Sequence, residues 1–99
     1  MKNYELLYVT RPDLTDQDLG TLRSDVQNKI TSLDGVVEKE DPWGKRQLAY
    51  EVKDMTEGIY TLVTMQLPSE GPVKLRDQLK IDERIIRYLI TTKDRKRTS

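Results

Sequence analysis

The chain has 99 residues, of which 34% are charged and 35% hydrophobic, and its 17 basic residues balance its 17 acidic ones. This length fits one domain with a modest core, and no apolar run approaches the ~20 residues of a membrane-spanning helix, so we expect a soluble protein. Because the sequence contains no Cys and no His, it excludes disulfide frameworks, thiolate or imidazole metal sites, and mechanisms that use a Cys nucleophile or a His base.

The first two predicted elements are a strand and an amphipathic helix. Residues 1–10 are rich in aromatic and branched side chains, which favours a strand, and Pro12 ends it because proline supplies no amide donor. Thr15 is a candidate helix N-cap, since its hydroxyl can accept a backbone N–H bond. Asp34-Gly35 ends the helix, and Gly35 is predicted to take the positive φ of its C-terminal cap. One apolar stripe lies between at helical spacing: Leu19, Leu22, Val26, Ile30 and Leu33.

The middle of the chain predicts extended segments. Residues 36–40 and 45–52 are predicted strands with a break at residues 41–44, and residues 54–58 predict a turn. Residues 59–67 form the next strand, whose more apolar set of side chains is expected to face the helices: Thr61, Val63, Met65 and Leu67.

A second, shorter helix and a last strand complete the pattern. Residues 68–72 open the helix, which carries Leu75 and Leu79, and Ser69 or Gly71 is its expected cap. Residues 85–92 are the last strand, and one face of it carries Arg87, Leu89 and Thr91.

The order strand, helix, strand, strand, helix, strand predicts an α+β fold, a ferredoxin-like sandwich over residues 1–92. Its four-stranded antiparallel sheet carries both helices on one face and leaves the other face open as a docking platform. Residues 93–99 are predicted to be a basic, disordered tail. Positive charge gathers toward this end, because residues 84–99 hold six basic residues against one acidic, whereas the first 83 hold 11 against 16.

No pattern for catalysis or cofactor binding stands out. The sequence has no Gly-rich phosphate loop, zinc spacing or nucleophile elbow. Glu38, Glu40 and Asp41 cluster without a partner pattern, which indicates a solvated rim. Arg11 would suit an acylphosphatase-like anion site, but no Gly-rich nest accompanies it. We therefore expect no enzyme, no metal, no cofactor and no small-molecule substrate.

The segment from Trp43 to Tyr50 is the most distinctive part of the chain. It places the lone Trp, a Gly and the cations Lys45 and Arg46 beside a predicted strand. This pattern predicts either a bulged hairpin arm with solvated cations or a basic, aromatic arm that contacts an RNA phosphate backbone. Residues 58–65 weakly echo the main motif of RNA recognition motifs, with one aromatic in place, Tyr60.

The same segment closely resembles the W-G-x-R-x-L-A-Y signature of bacterial-type small-subunit ribosomal protein six. Other pieces agree in order and spacing over about residues 3–92, namely Tyr4-Glu5, Pro12, Gly35, residues 57–60, Leu75, Leu79 and residues 84–89. The resemblance implies the same ferredoxin-like fold and a structural role in the small ribosomal subunit, in a cytoplasmic or organellar ribosome.

The resemblance also implies partners, namely the central domain of small-subunit (16S-type) rRNA and ribosomal protein eighteen of the same subunit. It places partner contacts at Leu62 and Leu89, and RNA contacts at Lys2, Tyr4, Arg46, Tyr60 and Arg87. Lys45, as the second cation of the arm, and Lys93, as the first residue of the basic tail, complete the candidate RNA-binding set.

The balanced charge predicts cooperative binding. A chain with no net positive charge should bind RNA feebly alone, because phosphate contacts supply most of such affinity, and a basic partner would provide the missing charge. One rival prediction is a metabolite-sensing or regulatory homodimer, which a ligand would stabilise. A small enzyme is the third alternative.

Overall fold

The computed structural model describes residues 1–92, so the predicted tail, Lys93 included, lies outside the described residues. Six elements follow one another: β1 (Lys2–Thr10), α1 (Asp16–Ser32), β2 (Val36–Val52), β3 (Met55–Leu67), α2 (Gly71–Lys80) and β4 (Ile85–Thr92). The strands form one sheet in the order β2-β3-β1-β4, and every neighbouring pair is antiparallel. The predicted ferredoxin-like βαββαβ architecture is confirmed.

The core lies between the two helices and one face of the sheet. The set of β3 side chains predicted to face the helices is buried: Thr61, Val63, Met65 and Leu67. Four members of the predicted stripe on α1 are buried, three of them (Leu22, Val26 and Ile30) in the same core cluster, and the fifth, Leu33, is partly buried. Full burial of such a side chain stabilises the fold by roughly 1.5–3 kcal/mol, so these two patterns decide which face of the sheet stays open. Neither helix in the described part of the chain is long and apolar enough to cross a membrane.

The start of α1 is fixed by a capping box. The Thr15 hydroxyl accepts a hydrogen bond from the Asp18 backbone N–H at 3.1 Å, and the Thr15 N–H donates to the Asp18 carboxylate at 3.3 Å. The prediction of Thr15 as N-cap is confirmed. At the other end, Asp34 and not Gly35 has the positive φ, 65°, so that prediction was wrong. A short polar side chain tolerates this conformation, and the Gly35 N–H completes the cap by donating to the Ile30 carbonyl at 3.0 Å.

β2 and β3 form a long hairpin that the sequence only partly predicted. The predicted break at residues 41–44 is wrong, because β2 runs unbroken through register shifts, one of them between Pro42 and Gly44. The predicted turn at residues 54–58 is wrong as well. Lys53 and Asp54, with φ of 51° and 64°, make a two-residue turn of the kind that matches the twist of a hairpin.

The second helix begins without a side-chain cap. Its N-cap is Glu70, which makes no capping hydrogen bond with its side chain, so neither Ser69 nor Gly71 plays the predicted role. The Ser69 hydroxyl donates instead to the Glu70 carboxylate at 3.2 Å. Pro72 stands in the first turn, where a missing N–H costs nothing because that donor has no partner within the helix.

A cluster of three charged side chains fastens the start of β4 to α1. The Arg84 guanidinium donates to the Asp82 carboxylate at 2.6 Å and to the Asp25 carboxylate at 3.0 Å. The Asp82 side chain is only 10% exposed, and the hydrogen bond from Arg84 lowers the pKa of its carboxyl below the usual value. This contact sets the position from which β4 enters the sheet.

Candidate nucleic-acid interface

The face of the sheet opposite the helices carries an apolar stripe. Leu7 on β1 pairs in register with Leu62 on β3 and with Leu89 on β4, so the three side chains stand beside one another. Leu89 is 59% exposed. The structure therefore brings together the two predicted partner contacts, Leu62 and Leu89. Sequence reasoning missed Leu7 between them, although the alternation along the first strand could have found it.

Trp43 is turned onto this face by a β-bulge. Pro42 pairs with Thr61 and Gly44 pairs with Tyr60, so Trp43 is the extra residue without a partner. Gly44 has a φ of 84°, a conformation that only glycine adopts without strain. The Trp43 ring, 37% exposed, lies nearly parallel to the Tyr60 ring, with 6.3 Å between the ring centres and 9° between the planes.

Two guanidinium groups lie over aromatic rings at this face. The central guanidinium carbon of Arg46 is 5.0 Å from the centre of the Trp43 ring, and that of Arg87 is 5.0 Å from the centre of the Tyr50 ring. Both distances fall within the ~6 Å at which a cation and a ring attract each other. Two of the predicted RNA contacts, Arg46 and Arg87, are thus held by rings that sequence reasoning did not assign to them.

The contact between Tyr50 and Arg87 crosses the whole sheet. β2 and β4 are its opposite edges, with β3 and β1 between them. The end of the hairpin must therefore curl back over the open face to bring Tyr50 above β4. Beneath it lies a groove, which is lined by Leu7, Val9, Ala49, Tyr60, Arg87, Tyr88 and Leu89.

The charges on this face are available to a ligand. Within residues 1–92, the ion pairs involve Arg11 and Arg84, while Arg46 and Arg87 have no carboxylate oxygen within 4.0 Å. A guanidinium that stacks on a ring uses its flat face and leaves the N–H groups at its edge free to donate. Lys45, next to Arg46 on β2, is exposed. No group of three or more carboxylates in this part of the chain is arranged to hold a metal ion.

Other predicted contacts lie elsewhere. Lys2 is exposed at the beginning of β1, whereas Arg87 pairs with Val9 near its end, roughly 23 Å away at the usual rise of a strand. Tyr4 belongs to the core on the helix side and is 8% exposed, so its placement gives the predicted RNA contact no support. Arg11, the candidate for an anion site, pairs with Asp13 at 3.2 Å, and its hydrogen bond lowers the pKa of that carboxyl.

Comparisons with known proteins agree with the geometry. The family model described as Ribosomal protein S6 matches residues 3–92. The small ribosomal subunit protein bS6 of Dictyoglomus turgidum is 38% identical over 91 residues, which cover 92% of this chain and 94% of that protein. The bS6 protein of Natranaerobius thermophilus is 40% identical over 90 residues, 91% of this chain and 94% of that one. The crystal structure of 30S ribosomal protein S6 from Thermotoga maritima shares the fold, with a TM-score of 0.87 and 24% identity over 93% of this chain and 87% of that chain.

Proposed function

The chain belongs to the ribosomal protein S6 family, and we propose that it binds small-subunit rRNA cooperatively with ribosomal protein eighteen. Members of this family are structural components of the small ribosomal subunit and not enzymes. One observation carries the proposal: Arg46 and Arg87 lie at the open sheet face, each over an aromatic ring and without a carboxylate partner in residues 1–92. The proposed location is the cytoplasmic ribosome, with an organellar ribosome as the alternative.

The RNA side of the proposal rests on phosphate contacts. A guanidinium presents several N–H donors in a planar fork, which matches two oxygens of one phosphate. Arg46 and Lys45 supply such contacts from the arm, and Arg87 supplies one from β4. Tyr60 contributes by supporting the Trp43 ring on which Arg46 lies. These contacts fix where the RNA lies without reading its sequence.

The partner side of the proposal rests on the apolar stripe of Leu7, Leu62 and Leu89. RNA cannot bury such a stripe well, whereas the side chains of another protein can, and exposed apolar patches commonly mark protein interfaces. Leu89 stands two residues from Arg87 on the same face of β4. A partner bound to the stripe therefore lies directly beside the RNA contacts, which is how the two binding events become cooperative.

The test measures binding to an RNA fragment of the small-subunit central domain. Affinity is determined with and without ribosomal protein eighteen, at two salt concentrations. We expect tight binding only when both proteins are present, and a fall in affinity with salt whose log–log slope is about 0.7–0.9 for each phosphate contact. Absence of binding with a partner protein of proven activity would refute the proposal.

Matched variants separate the two sides of the interface. Arg87→Ala should weaken RNA binding and lower the salt slope by about 1, whereas Arg76→Ala, an equal loss of charge at an exposed position of α2, should change neither. Leu89→Ser should reduce binding to the partner protein in the absence of RNA. Val73→Ser, which removes an apolar side chain of similar exposure on α2, should not. If both members of a pair behave alike, the open face is not the interface.

A further inference from the structure

We infer that Trp43 and Tyr50 are positioning residues, whose rings hold the guanidiniums of Arg46 and Arg87 where RNA phosphates bind them. This inference rests on the proposed function, because it explains how that site is kept in place. It assigns a role to two residues that the sequence pattern did not place in the RNA-binding set. It also predicts that the rings act through the arginines and do not contact RNA themselves.

The geometry explains why the arginines need such support. A long side chain on an exposed strand samples many rotamers, and fixing it on binding costs entropy. Each guanidinium lies 5.0 Å from its ring centre, so part of that ordering is already done in the free protein. No described carboxylate performs this task for either arginine, and a carboxylate would compete with phosphate for the same N–H donors. A ring holds the flat side of the guanidinium and leaves the donors free.

The two rings owe their places to two different backbone features of the same arm. The bulge at Gly44 turns Trp43 onto the open face, where the Tyr60 ring supports it. Tyr50 lies where the pairing of β2 with β3 shifts register between Gln47 and Val52, just before the two-residue turn at Lys53-Asp54. The arm therefore supplies both rings, although Arg87 comes from the opposite edge of the sheet.

The experiment is a pair of double-mutant cycles on the complete chain with ribosomal protein eighteen and the central-domain RNA fragment. The first cycle combines Trp43→Ala with Arg46→Lys, and the second combines Tyr50→Ala with Arg87→Lys. Each single variant should weaken RNA binding about two- to fivefold, the range expected from an exposed cation–ring contact. Each double variant should bind RNA with the same affinity as the weaker-binding of its two single variants. The second substitution adds no further loss, because the ring and the planar fork act as one unit.

Controls keep the inference falsifiable. The crossed double variant Trp43→Ala with Arg87→Lys combines residues from the two different cation–ring pairs, so its two losses should multiply. Trp43→Phe and Tyr50→Phe keep a ring and should bind within about twofold of the unchanged protein. Far-UV circular dichroism and the melting temperature verify the fold. Tyr50 is 59% exposed, so its removal leaves the core intact even if the Trp43 variant fails to fold.

Each outcome has one meaning. Losses that multiply within the contacting pairs would overturn the inference, because the rings would then act on RNA or on the partner protein independently of the arginines. Loss of RNA binding in Trp43→Phe or Tyr50→Phe would also overturn the inference. If the unchanged protein binds no RNA with the active partner, the proposed function fails instead, and that result is seen before any variant is compared.

Discussion

Gly58 is the residue at which a single methyl group should disturb the sheet most directly. It is buried on β3, and a Cβ atom there would stand 2.3 Å from Cγ1 of Val9 and 3.1 Å from the Thr10 carbonyl oxygen. The first distance is far inside van der Waals contact. Val9 cannot readily swing aside, because a β-branched side chain has restricted χ1 rotamers and this one is 3% exposed. Gly58→Ala therefore has to move β1 or strain Val9.

The size of the effect follows from two opposing terms. Overpacking of a tight core costs about 1–3 kcal/mol. Replacing a strand glycine recovers about 0.5–1 kcal/mol of backbone entropy. The free energy of unfolding should thus fall by about 1.25 kcal/mol, which for a chain of this length lowers the melting temperature by about 5–10 °C. Gly20→Ala is the matched control, since its Cβ would meet nothing within 4 Å on α1, and it should stabilise by about 0.5–1 kcal/mol.

The assay is urea unfolding followed by circular dichroism, in two backgrounds. With Val9 unchanged, Gly58→Ala should destabilise. In a Val9→Ala background the Cγ1 atom is gone, and Gly58→Ala should become neutral or slightly stabilising. A Gly58→Ala variant as stable as the unchanged protein, or an equal loss in both backgrounds, would refute the account in which Val9 is the obstacle.

Three further predictions concern stability. Thr15→Ala should lower the free energy of unfolding by about 1 kcal/mol in a denaturant titration, because α1 loses its capping hydrogen bond. Gly44→Ala should cost about 1–2 kcal/mol from its positive φ and alter the fluorescence of Trp43, although a Cβ would meet no neighbour there. Arg84→Met should destabilise at neutral pH by about 1–2 kcal/mol. The folded state lowers the pKa of Asp82, so this contribution is present above the ordinary carboxyl pKa of 3.8 and is lost as pH falls through the folded value.

Simple controls decide each of these. Thr15→Ser keeps the hydroxyl and should retain most of the stability, so a loss equal to that of Thr15→Ala would contradict the capping role. A Gly44→Ala protein with unchanged stability would contradict the strain at the bulge. For Arg84→Met, the difference in free energy of unfolding from the unchanged protein should become smaller in acid. A difference that is constant from neutral to strongly acidic pH would show that the ion pair with Asp82 does not cause the stabilisation.

The sequence predicted the order of elements and the faces of the sheet because both follow from local periodicity. Alternation along β3 assigned Thr61, Val63, Met65 and Leu67 to the core, and spacing along α1 assigned Leu22 and Val26 to the same core. The same rule put Leu62 on the opposite face, whereas Leu89 was assigned to the partner contacts by the resemblance alone. The sequence was therefore sufficient to predict those parts of the fold that burial in the core determines.

The arm could not be predicted in the same way, because long-range pairing overrides local signals there. Pro42 and Gly44 suggest a loop, yet pairing with β3 keeps both in the sheet as part of a bulge. Lys53-Asp54 lacks the Gly that usually marks a two-residue turn. The contact between Tyr50 and Arg87 depends on how the whole hairpin curves over the sheet. The residues close to either one in sequence do not determine that curvature.

Tyr4 shows a different limit. An aromatic residue near the start of a strand fits an RNA contact and a core position equally well from sequence. In the structure the Tyr4 ring packs in the core, because Tyr4 lies on the same face of β1 as Leu6 and Tyr8, which face the helices. Counting that alternation would have favoured the core before any resemblance was considered.

The sheet order has a consequence for how the protein is made. β1 lies between β3 and β4, so the strand that leaves the exit tunnel first finds its two neighbours only in the second half of the chain, and Tyr4 pairs with Thr92. Pairing between such distant segments is slower than the formation of local contacts, and it cannot begin until both segments exist. A nascent chain that stops before Ile85 lacks the strand that carries Arg87 and Leu89. The open face that we propose as the interface is therefore incomplete until β4 has been synthesised, so an unfinished copy lacks two of the proposed contacts, Arg87 and Leu89.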